Sequence, residues 1–104
     1  MKFIYLLKTE SGTYKIGVSK NPSKRVKQLN TGNSEKINLI YVYETDIAYV
    51  LEKTLKNHFS AHRLNGEWFN LSLEDELNFK HTCNLINERL KHLIEEENPF
   101  LLKK

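Results

Sequence analysis

Tyr5, then Lys15 and Gly17 within Tyr14-Lys15-Ile16-Gly17, then Arg25, then Glu52 form an ordered set that could cut a phosphodiester. A tyrosine hydroxyl can handle a proton. Arginine's rigid fork of donors suits two phosphate oxygens at once. One carboxylate completed by waters and a substrate phosphate is an ordinary Mg²⁺ arrangement. Each residue also has a plainer reading. A strand tyrosine commonly fills its sheet with the hydroxyl at the rim, and an arginine on a short exposed helix is commonly a solvated charge. Glu52 is equally placed to pair with Lys53 or Lys56. Everything depends on whether the intervening elements bring these groups together.

Residues 2–8 and 14–18 read as strands rich in aromatic and branched side chains. Between them, Thr9-Glu10-Ser11-Gly12-Thr13 has turn chemistry, which predicts a β-hairpin. Side chains alternate along a strand. With the turn centred on Ser11, Tyr5 lies across from Gly17, with Lys15 diagonal on the same face. A glycine opposite a tyrosine would leave space for a phosphate. A slip of one residue would place the pair on opposite faces.

Asn21-Pro22 predicts a helix start, with an N-cap followed by proline at the first helical position. The helix runs to about residue 30, stops at Thr31-Gly32-Asn33, and carries Arg25 beside Lys24 and Lys27. Lys20, Lys24 and Lys27 are expected to form a phosphate-attracting surface, with Tyr14, Gly17 and Asn33 as further substrate contacts. Residues 37–45 read as a strong third strand. Asp46 is the expected cap of a second helix reaching about residue 62, with Ile47, Val50, Leu51, Leu55 and Phe59 as its apolar stripe. Glu52 falls just past the edge of that stripe, sheltered in part yet able to point at the sheet.

His58 and His62 have the i, i+4 spacing that zinc sites use, but no third ligand follows with convincing spacing. His81, His92 and Cys83 form no metal set either, so structural histidines are expected. Leu64-Asn65-Gly66 is a turn before a short strand at 67–71, and Ser72 to Asp75 fits a capping box. A long closing helix over about 73–97, ending before Pro99, has Leu77, Ile86, Leu90, Leu93 and Ile94 on one face. Its outer side is acidic, with Glu88, Glu95, Glu96 and Glu97. Such a helix belongs away from an anionic substrate.

At 104 residues the chain is expected to be one domain, burying roughly 65% of its unfolded surface on folding. The fold class is α+β: a small antiparallel or mixed three-stranded sheet flanked by helices, with a short fourth strand and a long C-terminal helix. Residues 1–63 carry 11 Lys/Arg against 5 Asp/Glu, whereas residues 64–104 carry 5 against 8. That asymmetry turns the first part toward an anionic partner. The apolar run Phe3 to Leu7 is too short for a signal sequence, and no stretch approaches the ~20 apolar residues of a membrane span. A lone cysteine cannot close an intramolecular disulfide. An intracellular, cytoplasmic protein without membrane contact is expected, monomeric or weakly dimeric.

The constellation resembles the GIY-YIG nuclease superfamily, in particular its viral and bacterial branch ending in Gly-Glu-Trp-Phe, here Gly66-Glu67-Trp68-Phe69. The resemblance covers roughly residues 2–71 and includes Gln28-Leu29-Asn30-Thr31-Gly32-Asn33. It implies that Tyr5, Lys15, Arg25 and Glu52 form an active site using one Mg²⁺ or Mn²⁺ held by Glu52. Tyr5 would act as general base and Arg25 as the transition-state clamp. Two positions depart from the family pattern: Phe3 stands for glycine in the first motif and Lys15 for tyrosine in the second. The family's late asparagine corresponds to Asn65, Asn70 or neither.

Two function classes follow. One is a metal-dependent endonuclease on DNA, encoded by a phage, virus or mobile element. The other is a nucleic-acid-binding module of the same fold that no longer cleaves. Cleavage of RNA is a third reading, because a phosphate-centred site does not read the sugar by itself.

Overall fold

The computed structural model describes residues 2–97. β1 (Lys2–Thr9) and β2 (Tyr14–Ser19) form the expected antiparallel hairpin. The turn between them is closed by Thr9 and Thr13, which share a backbone hydrogen bond and a 2.7 Å hydroxyl contact. β3 (Ile37–Thr45) pairs with the other side of β1, and β4 (Trp68–Phe69) with the other side of β2. The result is a four-stranded sheet of order β3-β1-β2-β4 with every pairing antiparallel. The fourth strand is shorter than the sequence suggests. Its outer backbone is taken up by the preceding turn, with Leu64 N–H bonding Trp68 O and Asn70 N–H bonding His62 O.

Alternation splits the core between the two sheet faces. Ile4, Leu6, Tyr14 and Ile16 face α2 (Ala48–His58) and α4 (Phe79–Glu97), burying Leu51, Leu55, Phe79 and Cys83. Tyr5, Leu7 and Ile37 face α1 (Pro22–Asn30) through its Val26 and Leu29. α1 begins as its sequence dictates, with the Asn21 side chain accepting from Lys24 N–H at 3.1 Å and proline in the first turn. At its far end the Asn30 carboxamide bonds both N–H and C=O of Ile37, at 2.8 and 3.0 Å. This ties α1 to the start of β3.

The helices after β3 differ from expectation in three ways. Asp46 does not cap α2; it pairs with Lys91 of α4 at 2.9 Å. Val50 is 37% exposed, because at about 100° per residue it turns away from Ala48, Leu51 and Leu55, which make the buried stripe. α2 also ends at His58, and Ser60–His62 is a short 3-10 turn. His58 and His62 therefore do not share a helix face, and both are exposed.

The closing helix is two helices. α3 (Leu73–Leu77) starts on the expected capping box of Ser72 and Asp75 and stops at Asn78. The interruption throws Leu77 out to 74% exposure, and Leu93 is 40% exposed. The inward stripe of α4 is Phe79, Cys83, Ile86, Leu90 and Ile94. Cys83 is fully buried, which pushes its thiol up to about 12 and leaves it without thiolate character. Pro99, expected to mark the helix end, and the side chain of Glu97 lie outside the described residues. No helix among the described residues is long and apolar enough to cross a membrane.

α3 is pinned to the hairpin by Glu76, which accepts from Tyr14 Oη at 2.5 Å and Lys8 Nζ at 2.9 Å. Those two donors hold the Glu76 carboxyl below its usual 4.5. A carboxyl depressed by folding stabilises above its unfolded pKa, and the contribution disappears as pH falls through the folded value. Wild-type stability should therefore fall more steeply below about pH 4.5 than that of Glu76→Gln, as urea unfolding at a series of pH values would show. Parallel pH curves would remove Glu76 as the cause.

Candidate active site

The hairpin register pairs Tyr5 with Gly17 and Leu7 with Lys15, so Tyr5 and Lys15 are diagonal neighbours on the face that α1 covers. The space opposite Tyr5 is not free. A Cβ built on Gly17 would sit 2.3 Å from both Cζ and the hydroxyl of Tyr5. The ring lies across the glycine, so Gly17 seats the tyrosine and leaves no gap there for a phosphate. Tyr5 is only 3% exposed. Among the described residues no buried side-chain oxygen or nitrogen lacks a hydrogen-bond partner. Among the described residues nothing bonds the Tyr5 hydroxyl, and since it is not a fully enclosed unsatisfied group, part of its small exposed surface is there.

Gly17→Ala should displace this ring. The cost expected for forcing a methyl into a packed contact is about 1–3 kcal/mol, readable as a lowered unfolding midpoint. Pairing Gly17→Ala with Tyr5→Ala should recover most of the loss attributable to the clash. No recovery would show that the two side chains do not compete for one space.

Tyr14 is a correction. Alternation turns it to the opposite face, where it is 2% exposed and bonded to Glu76. It is a core residue and not a substrate contact. Its neighbour Lys15 is the residue of that motif which faces the Tyr5 side. The Lys15 side chain is 15% exposed, pairs with Glu67 at 3.3 Å and lies 5.8 Å from the Trp68 ring centre. The cross-strand pairing of Lys15 with Trp68 sets this contact.

Arg25 is exposed on α1, but its direction is set by the helix. Pro22, Val26 and Leu29 turn toward the sheet, and Asn30 marks the flank bound to β3. At about 100° per residue Arg25 falls on the other flank of that stripe, toward β2. Lys24 and Lys27 point outward and are exposed. Lys20 lies at the far end of the sheet, beside Lys2, Asp46 and Tyr49. Asn33 borders an open groove on the Trp68 side. The expected basic surface is therefore dispersed, with Arg25 alone on the flank that overlooks β2.

Glu52 keeps the sheltered edge position that its spacing implies, with 23% of its side chain exposed. Thr54 and His58 on one flank of α2 border α4, so Glu52 and Lys56 occupy the flank facing the β2 edge. There they join a continuous chain of charges. Glu52 pairs with Lys56 at 3.4 Å, Lys56 with Glu67 at 3.6 Å, and Glu67 with Lys15 at 3.3 Å. The two lysines hold the Glu67 carboxyl below its usual range, first through the Lys15 hydrogen bond and charge and then through Lys56.

Glu67 has no role of its own in the sequence pattern, and Lys56 enters it only as a partner for Glu52. Lys56 was detectable as the i+4 partner of Glu52. The place of Glu67 was not, because it depends on a two-residue strand. Among the described residues no group of three His, Cys, Asp or Glu could hold a metal, which argues against a closed protein cage. The donor chemistry does fit a hard cation that keeps most of its shell as water and phosphate. Glu52 is a half-sheltered carboxylate beside Lys56, a cation that a phosphate would also attract.

No curated protein and no solved structure matches the chain. The T5orf172 domain matches residues 2–96, extending beyond the 2–71 core through α3 and nearly all of α4. With that match covering most of its length, the chain belongs to the T5orf172 domain family, which is associated with phage and nuclease-like proteins.

Proposed function

We propose that this chain is a divalent-metal-dependent endonuclease of the GIY-YIG type, hydrolysing phosphodiester bonds in DNA for a phage or mobile element. The observation that carries the reading is the linked chain Lys15–Glu67–Lys56–Glu52, which runs around the sheet edge from the α1 face, where Tyr5 and Lys15 lie, to α2 on the opposite face, which carries Glu52. A proton acceptor, cations and a carboxylate joined around one sheet edge would supply the parts that phosphodiester hydrolysis requires.

Arg25 would clamp two non-bridging oxygens and stabilise the charge that develops on them. Tyr5 would receive the proton of the attacking water. Glu52 would hold Mg²⁺ or Mn²⁺, whose contribution is Lewis-acid stabilisation of phosphate oxygens. Lys15 replaces the tyrosine common at its position with a donor that carries full charge.

The test is incubation of purified protein with nicked, linear and single-stranded DNA, with and without Mg²⁺ or Mn²⁺. Ion-dependent cleavage is expected. Binding without cleavage under every ion would move the chain to the class of non-cleaving modules. Tyr5→Phe keeps the ring on Gly17 and removes one oxygen, so thermal stability should persist while hydrolysis falls by at least about 10²-fold. A fully active Tyr5→Phe beside a dead Lys15→Met would transfer the proton-handling role to Lys15.

A further inference from the structure

We propose that the groove beside Trp68 receives one unpaired DNA base flanking the scissile phosphate, making the substrate a DNA with a displaced or single-stranded nucleotide. The proposal rests on the nuclease reading for the position of that phosphate. The groove is open, with a volume of about 790 Å³. Its lining includes Thr13, Asn33, Glu35, Arg63, Asn65 and the half-buried Trp68. That space admits a nucleotide but no double helix, since ligand-sized clefts span about 300–1,000 Å³.

The chemistry of the walls selects a base over a phosphate. Trp68 supplies an indole for stacking, a sequence-tolerant contact because every base has a π-face. Asn33, Asn65 and Thr13 supply neutral donors and acceptors of the kind that read a base edge. The charges nearly cancel. Arg63 already donates from Nε to Gly66 O at 3.0 Å. Glu35 accepts from the Ser11 backbone N–H, and hydrogen bonds from Ser11 hold its carboxyl below the usual range. A fixed carboxylate on the wall repels phosphate and accepts from an exocyclic amine.

Continuity with the site gives the flanking position. Lys15 and Gly17 alternate onto the same face of β2, Thr13 lies in the turn just before that strand, and Trp68 is the cross-strand partner of Lys15. Two residue steps along the chain take Thr13 to Lys15, about 7 Å, a span that one nucleotide covers. A phosphate at Lys15 thus leaves its neighbouring base facing the groove.

Trp68 is the sole tryptophan, so its fluorescence reports the groove directly. The experiment titrates the full chain, in EDTA to prevent cleavage, with a short duplex carrying one unpaired base, its fully paired counterpart, and the matching RNA. The unpaired DNA should quench Trp68 and bind at least about tenfold tighter than the paired duplex. Trp68→Ala should abolish that preference, read as the ratio of the affinities for unpaired and paired DNA, an effect within the range of lost base stacking. Trp68→Phe, which keeps a ring in the packing, should retain most of it. Equal binding of paired and unpaired DNA, a preference that survives Trp68→Ala, or tighter binding of RNA would each overturn the assignment. Cleavage with no base preference would sink the groove and spare the nuclease reading. Selective binding with no cleavage in Mg²⁺ or Mn²⁺ would sink the nuclease reading and spare the groove as a DNA-binding site.

Discussion

Glu52→Gln should leave a folded protein whose cleavage falls by at least about 10³-fold, the upper range for loss of an electrostatic stabiliser. Folding should survive because the substitution preserves shape and costs only the Lys56 pair, at 3.4 Å on a partly exposed helix face. Pairs of this kind contribute at most about 1 kcal/mol. Activity should not survive, because an amide neither carries the charge nor ligates a hard cation as a carboxylate does. Glu67 supplies the control. It lies two ion pairs' reach from Glu52 along the same chain, yet its side chain is 57% exposed and already shared by two lysines. Glu67→Gln should therefore cleave at no less than about a tenth of the wild-type rate. Single-turnover rates at saturating Mn²⁺, with unfolding midpoints for both variants, decide the matter. Near wild-type rates for Glu52→Gln with a dead Glu67→Gln would transfer the metal-binding role to Glu67.

How much of this was legible in the sequence depended on how local each signal is. The hairpin register follows from turn residues and alternation, so the pairing of Tyr5 with Gly17 could be written down beforehand. The cap at Asn21 and the capping box at Ser72 are equally local. What that register does in three dimensions was not local. Gly17 looked like space for a ligand, but the Tyr5 ring fills it. Val50 and Leu77 looked like stripe residues until the α2 phase and the break at Asn78 turned them outward. Tyr14 read as part of a functional motif, yet strand alternation commits it to the core and Glu76, 62 residues away, takes its hydroxyl. Of the charge chain, only the Glu52–Lys56 link follows from spacing. Glu67 sits in the turn immediately before β4, a strand too short to leave a periodic trace.

Arg25→Ala should lower the catalytic rate by roughly 10²–10³-fold, the loss typical of a donor aimed at a developing charge. The expectation comes from where α1 is held. Asn30 fastens one flank of the helix to β3 through both polar atoms of Ile37, and Val26 and Leu29 pack on Tyr5 and Leu7. The helix cannot roll without breaking that lock, so Arg25 stays on the β2 side while Lys24 and Lys27 stay outside. Truncating Arg25 removes no buried contact, since the residue is exposed, and stability should hold within about 0.5 kcal/mol. Lys24→Ala and Lys27→Ala should act differently, weakening DNA binding and its salt dependence without altering single-turnover chemistry. Arg25→Lys separates fork from charge: a lysine restores one positive charge but not two parallel donors. It should recover binding more fully than rate. If Arg25→Ala lowered only affinity, with single-turnover chemistry intact, the residue would be a positioning contact and the clamp would have to be sought at Lys15 or Lys56.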